Sequence, residues 1–218
     1  MTTFPGSPRL LKGGIVLLDP DTAAVQRIIP LQYNPDTLTR TLQAQSMGEN
    51  ALRSEALRLK GPPVETLKVD AELDATDQLE FPDRNPTAVQ LGLHPQLAVL
   101  ELMVYPHSSQ LIANNAQASS GALEIAPTEA PLTLFIWSQQ RIMPVRLTDF
   151  SITEEAFDTA LNPIRAKISL GMRVLNINDL GFDSKGGSLY MIYQQQKESL
   201  AQKYQSGTFG AFGIGGIP

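Results

Sequence analysis

Acidic side chains are the first candidates for chemistry in this chain. Glu154 and Glu155 are adjacent, with Asp149 and Asp158 close by. Two carboxylates in one pocket can divide acid and base roles, or hold a cation. Neighbouring residues of a strand point to opposite faces, so Glu154 and Glu155 do not converge if the segment is extended. We therefore expect a solvated turn there. A second acidic group comprises Asp70, Glu72, Asp74 and Asp77, and its period-two spacing puts Asp70, Glu72 and Asp74 on one sheet face. It lacks the glycine and closing glutamate of an EF-hand loop, so solvent or a partner is expected to face it rather than calcium. His94 and His107 are the only histidines, each beside a proline and without metal-ligand spacing; helix-end or surface roles suit them. No G-x-S-x-G elbow occurs, and neither Gly13-Gly14 nor Gly186-Gly187 matches a phosphate loop. Trp137 could stack on a sugar or a base, but it ends a strand with two apolar faces and reads as core. No catalytic, metal-binding or cofactor-binding residue is assigned from these signals, and a carboxylate-dependent enzyme stands as one alternative.

The elements that would carry these residues are mostly strands. Residues 131–174 read as a three-stranded meander. Leu132, Leu134 and Ile136 alternate with Thr133, Phe135 and Trp137, so the first strand is apolar on both faces and should be buried on both. Ser138 to Arg141 turn into a strand from Val145 to Ile152. Asn162-Pro163 opens the third, where Ile164, Ala166, Ile168, Leu170, Met172 and Val174 share a face opposite Arg165, Lys167, Ser169 and Arg173. Upstream, Lys12 to Leu18 and Val25 to Gln32 form a hairpin about the Asp19-Pro20-Asp21 turn. A more polar, edge-like strand follows at Thr37 to Leu42. Residues 45–62 read as helical turns or a loop. Thr66 to Asp74 alternate as a half-exposed strand, with Leu67, Val69, Ala71 and Leu73 inward.

A polar segment then runs to Pro86. A helix starts near His94-Pro95 and places Leu93, Leu97, Leu100 and Val104 against a sheet, and 107–130 reads as a long loop. A last helix over Ser188 to Gln205 carries the stripe Leu189, Ile192, Tyr193, Leu200 and Tyr204. Gly207 to Pro218 is a glycine tail bearing Phe209, Phe212, Ile214 and Ile217, which we read as docking on another subunit, since apolar groups on such a tail need a neighbour to cover them. The domain reading is an N-terminal arm at 1–11, a β domain at 12–180, and a C-terminal helix and tail at 181–218.

Composition narrows the function classes. The 218 residues are 42% hydrophobic but only 18% charged, which fits a surface largely covered by partners. A net charge of −5 argues against nucleic-acid binding. The absence of cysteine excludes disulfides and thiolate metal sites. No secretory leader and no membrane-length apolar run are read, so synthesis and folding in the cytoplasm, without direct membrane insertion, are expected; release within a particle is compatible with this.

Three stretches together carry a family resemblance: Leu31 to Leu42 with its Gln32-Tyr33-Asn34-Pro35 turn, Pro63 to Pro86 with the strand end Leu67 to Asp77, and Leu132 to Leu175 with Trp137 and Asn162-Pro163-Ile164-Arg165-Ala166. Over about residues 12–180 the chain resembles the tube-type baseplate proteins of contractile injection systems, the phage-tail-like particles of bacteria. The resemblance implies a mainly β, α+β fold: a tail-tube-like arrangement of two packed antiparallel sheets plus a helix. It implies a homohexameric ring joining the inner tube to the baseplate, with inner tube protein and other baseplate proteins as partners, and no enzymatic activity. The chain departs from relatives that carry a LysM module, because the stretch after Asn178 is too short for one; glycan binding does not carry over. In a ring, Arg165, Lys167 and Arg173, or Asp70, Glu72 and Asp74, become candidates for subunit or lumen contact. Two rivals stand beside this reading: a glycan- or cell-surface-binding β module, which needs an exposed aromatic platform, and a carboxylate-dependent hydrolase, which needs converging carboxylates.

Overall fold

The computed structural model describes residues 10–46, 57–119 and 130–217. β1 (Gly14–Leu18) and β2 (Val25–Pro30) form the expected hairpin. Asp19 closes it: one carboxylate oxygen accepts from the Asp21 and Thr22 amides at 3.2 and 2.8 Å and from the Thr22 hydroxyl at 2.8 Å. β3 (Leu38–Gln43), β4 (Val64–Asp74), β5 (Leu132–Ser138), β6 (Arg141–Phe157) and β7 (Pro163–Val174) complete one antiparallel sheet in the order β2-β1-β5-β6-β7-β4-β3. The chain is thus mainly β with added helices.

Hydrogen bonding joins all seven strands in one sheet, where two packed sheets were expected. The length of β6 is the reason. Its first residues, to Val145, pair with β5, and from Val145 onward it pairs with β7, so one strand of 17 residues stitches both halves together. A register shift between Leu147 and Asp149 marks a bulge along it, where a strand bends. β6 also outruns the expected Val145–Ile152 at both ends. Glu154 and Glu155 therefore lie inside a strand and not in a turn: the ladder to Ala166 and Arg165 holds residues whose local composition reads as loop. The true connector is 158–162, where the Asp158 carboxylate accepts from the Ala160 and Asn162 amides at 2.7 and 2.8 Å.

Helices cover the sheet and its ends: α1 (Thr76–Leu79), α2 (Pro86–Leu91), α3 (His94–Glu101), α4 (Ser108–Ser119), α5 (Ile177–Leu180) and α6 (Lys185–Gln202), with 3₁₀ turns at Pro82–Arg84 and Phe209–Phe212. Two of these replace expected irregular chain. The polar segment after Asp74 coils into α1 and the first 3₁₀ turn, and α2 follows it. The supposed loop at 107–130 is helical over 108–119, where Gln110, Leu111, Ala113, Ala116, Gln117 and Ala118 supply enough helix propensity to outweigh the serines and asparagines. The rest of that stretch, 120–129, lies outside the described residues, as do 47–56 of the segment read as helical turns. Gly92 ends α2 at φ +54, and a Cβ there would sit 2.5 Å from the Pro163 carbonyl oxygen, so helix and hairpin can meet only at a glycine.

The main core gathers Ile15 and Leu17 of β1, Leu67 and Val69 of β4, Phe135 of β5, Met143 and Val145 of β6, and the β7 face Ala166, Ile168, Leu170, Met172 and Val174. Leu97 and Leu100 of α3, with Leu93 just before it, close the core; Val104 lies past the helix end and is exposed. The other faces of β1 and β5 form a smaller cluster of Val16, Leu18 and Leu134 with Leu132 and Ile136, so β5 is buried on both sides as its composition requires. Each fully buried Val, Leu, Ile, Phe or Met among them contributes about 1.5–3 kcal/mol by leaving water.

α6 turns only part of the expected stripe inward, Tyr193 into the main core and Leu189 onto the smaller cluster. Gly186, Gly187, Tyr190 and Tyr193 are buried, whereas Ile192, Leu200 and Tyr204 are exposed and Leu189 packs on the smaller cluster. At Gly187 a Cβ would lie 1.8 Å from the Gly181 carbonyl oxygen, so the helix start packs backbone to backbone on the end of α5.

Candidate functional site

The polar face of the β6-β7-β4-β3 half is the broadest candidate surface. Alternation dictates it: each strand spends its other face on the core. The register then places Asp70 opposite Ser169, Glu72 opposite Lys167 and Asp74 opposite Arg165 on β4 and β7, and Glu155 opposite Arg165 on β6. The acidic and basic stripes, which the sequence leaves as separate candidates, are therefore neighbours. One ion pair joins them directly, Arg165 with Asp74 at 2.9 Å, while Lys167 meets Glu155 of β6 at 2.9 Å. The hydrogen bond from the Thr76 hydroxyl, with its amide and Arg165, holds the Asp74 carboxyl below its usual value against the opposing effect of burial. The hydrogen bond to Glu155 raises the Lys167 ammonium. Arg173 turns aside, to Asp179 at the start of α5, at 2.9 Å. Toward β3 the face becomes a shallow hydroxyl-lined trough of Thr39, Thr41, Thr66, Ser151 and Ser169 with Lys68 and Asp149.

The adjacent glutamates of β6 do not converge on this face. Glu154 pairs across from Ala166 and Glu155 across from Arg165, so the two carboxylates take opposite faces as strand geometry demands. Among the described residues no group of three or more His, Asp or Glu side chains is placed to hold a metal ion. His94 begins α3 and His107 immediately precedes α4. Trp137 is half-buried and stacks on Phe135 with centroids 6.0 Å apart; Gly13 packs beneath its ring.

The sheet's ends form a second candidate surface. β2 and β3 each have one neighbour, so each presents unpaired backbone donors and acceptors. β2 is also exposed on both faces, with Val25 and Ile28 open to solvent. Beyond α6, every described residue is exposed; Phe209, Phe212, Ile214 and Ile217 lie among them on the tail.

One cluster was not anticipated. Glu65 continues the inward parity of Leu67, Val69 and Ala71 and is only 3% exposed. Arg40 of β3 donates to its Oε1 from Nε at 2.9 Å and Nη2 at 2.6 Å; Tyr193 Oη donates to the same oxygen at 3.0 Å; Lys197 Nζ reaches Oε2 at 3.2 Å. Burial pushes the Glu65 carboxyl up, but the Arg40 hydrogen bond and the charges of Lys197 and Arg40 outweigh it and leave it below its ordinary value. Burial and the Glu65 charge push the Tyr193 phenol up. Extending the β4 alternation back by one inward position marks Glu65 as buried. No local signal names partners from β3 and α6.

No family model matches this chain, and no curated protein matches it. Function must be argued from the geometry above.

Proposed function

We propose that this chain is a structural ring component joining the inner tube to the baseplate of a contractile injection system, in which it templates tube assembly without enzymatic activity. One observation carries the reading: a charge-balanced polar face lies on a sheet whose two ends are open edges. A ring is built from heterologous contacts, in which one patch of a subunit meets a different patch of the next. β2 and β3 are two such patches at opposite ends of the sheet, and Val25 and Ile28 give β2 apolar area to bury. Six copies joined in this way would present the β6-β7-β4-β3 face as a hydrophilic wall in which no single sign of charge dominates, which suits a passage that must not trap what moves through it. The exposed tail would reach an adjoining copy.

Light scattering on the purified protein, with electron microscopy of the particle, tests this. The expected result is a hexameric ring stacked at the end of a tube. A monomer that never enters a ring-bearing particle, or one retained by immobilised glycans without forming rings, overturns it. Deleting Gly207–Pro218 tests the tail separately: ring assembly is expected to fail, and intact rings would remove the tail from the proposal.

A further inference from the structure

Three elements meet on the Glu65 carboxylate: edge strand β3 through Arg40, β4 through Glu65 itself, and α6 through Tyr193 and Lys197. Arg40 Nη2 also donates to Tyr193 Oη at 2.9 Å, and the Lys197 ammonium lies 3.9 Å from the Tyr193 ring centroid. Among the described residues, the side-chain hydrogen bonds between α6 and the strands join Tyr193 and Lys197 to Glu65 and Arg40 alone, with Arg40 the donor in its bond to Tyr193. Lys197 is also the last residue of α6 that is not exposed; everything described after it faces solvent. The buried line 186–190–193 thus continues by one helical step to Lys197 and ends on an ion pair.

Holding strength alone does not account for this choice. Burying ions costs desolvation that their attraction roughly offsets, and apolar side chains of similar volume often stabilise as well or better. An ion cluster adds direction. A slip of α6 by one residue moves each side chain about 1.5 Å along the axis and about 100° around it, which takes both Tyr193 and Lys197 off the carboxylate. An apolar contact would tolerate the slip far better.

We propose that the Glu65 cluster is a positioning latch: it fixes the register of α6 on the β3–β4 hairpin and so aims the C-terminal tail from Tyr204 to Ile217. The purpose of that aim rests on the tail-docking reading above, but the latch itself is a property of the single chain.

The chain has no cysteine, so two introduced ones label cleanly. Spin labels at Lys68→Cys on the polar face of β4 and Gln202→Cys at the end of α6 report the helix position in the full-length protein. Replacing the cluster by Glu65→Leu, Arg40→Met and Lys197→Met is expected to keep cooperative unfolding, to broaden the label–label distance distribution, and to speed amide exchange over 198–202 by at least about tenfold. An unchanged distribution and unchanged exchange overturn the latch. Should the triple variant fail to fold, Tyr193→Phe and Lys197→Met, which each remove one donor, carry the same test with smaller broadening; Lys197→Arg is expected to restore the narrow distribution. A latch that passes while tail deletion leaves rings intact would separate the two readings, retaining the register and discarding the docking.

Discussion

Glu65 and Asp74 stand on the same strand and each meets an arginine, yet they occupy opposite environments. Glu65 is on the inward face with its side chain 4% exposed, against Arg40 at 2.6 Å. Asp74 is near the polar rim with its side chain 20% exposed, against an Arg165 that is half in water. Similar Coulomb geometry has different consequences because water screens one pair and not the other. The outer pairs neutralise a surface and keep it wet. The inner cluster binds three elements and has few alternative arrangements. A charge pair is therefore informative about function only once its burial is known.

The largest expected effect follows from breaking the inner cluster. Glu65→Ala leaves the Arg40 and Lys197 cations facing a cavity with no counter-charge; both are partly exposed, so the loss falls at the low end for a broken buried pair, about 3 kcal/mol. Urea unfolding measures it, and a loss below about 1 kcal/mol would equate the two environments.

Acid should act through the same group. The folded Glu65 carboxyl titrates below its unfolded value, so the native state binds fewer protons. Its contribution is present above the ordinary glutamate range near pH 4.3 and is lost as pH falls through the lower folded value. Arg40, held above its ordinary value by Glu65, stays charged throughout. A stability–pH series should show a shallower acid limb for Glu65→Gln than for the parent, and parallel limbs would place the acid sensitivity elsewhere.

A smaller effect is expected for Tyr193→Phe. It removes the hydroxyl that joins Glu65 to Arg40 but leaves the ring in the core, for a cost of about 1 kcal/mol by chemical denaturation.

The smallest is Asp74→Asn. The pair with Arg165 is screened, so the change should stay under about 1 kcal/mol and vanish in about 1 M salt, where the screening length is about 3 Å. An effect that survives high salt would show that the polar face is structurally tighter than its exposure implies.

Much of this architecture is legible in residue order. Period-two alternation marks β4 and β7, the doubly apolar run marks β5 as central, and Asp19-Pro20-Asp21 marks the first turn, because these signals arise within a few residues. The failures share a cause. The ends of β6 are polar and carry Glu154 and Glu155, and only the ladder with β7 keeps them extended. Apolar residues alone mark the α6 stripe, whereas the buried line also runs through Gly186, Gly187 and Tyr190, two of them without side chains to read. The helix at 108–119 buries no side chain, so it leaves no apolar period to read.

The candidate site divides in the same way. Sequence alone established that Asp70, Glu72 and Asp74 share one face and that Arg165, Lys167 and Arg173 share one, since the pleat has a period of two. That Glu154 and Glu155 diverge follows only once the ladder with β7 holds them extended. Only the tertiary structure decided that the two stripes lie side by side, because strand order and register depend on contacts spread over the whole sheet. The tertiary structure likewise brought Tyr193 to Glu65 across 128 positions of chain. Local chemistry fixes which way a side chain points; long-range packing fixes what it meets.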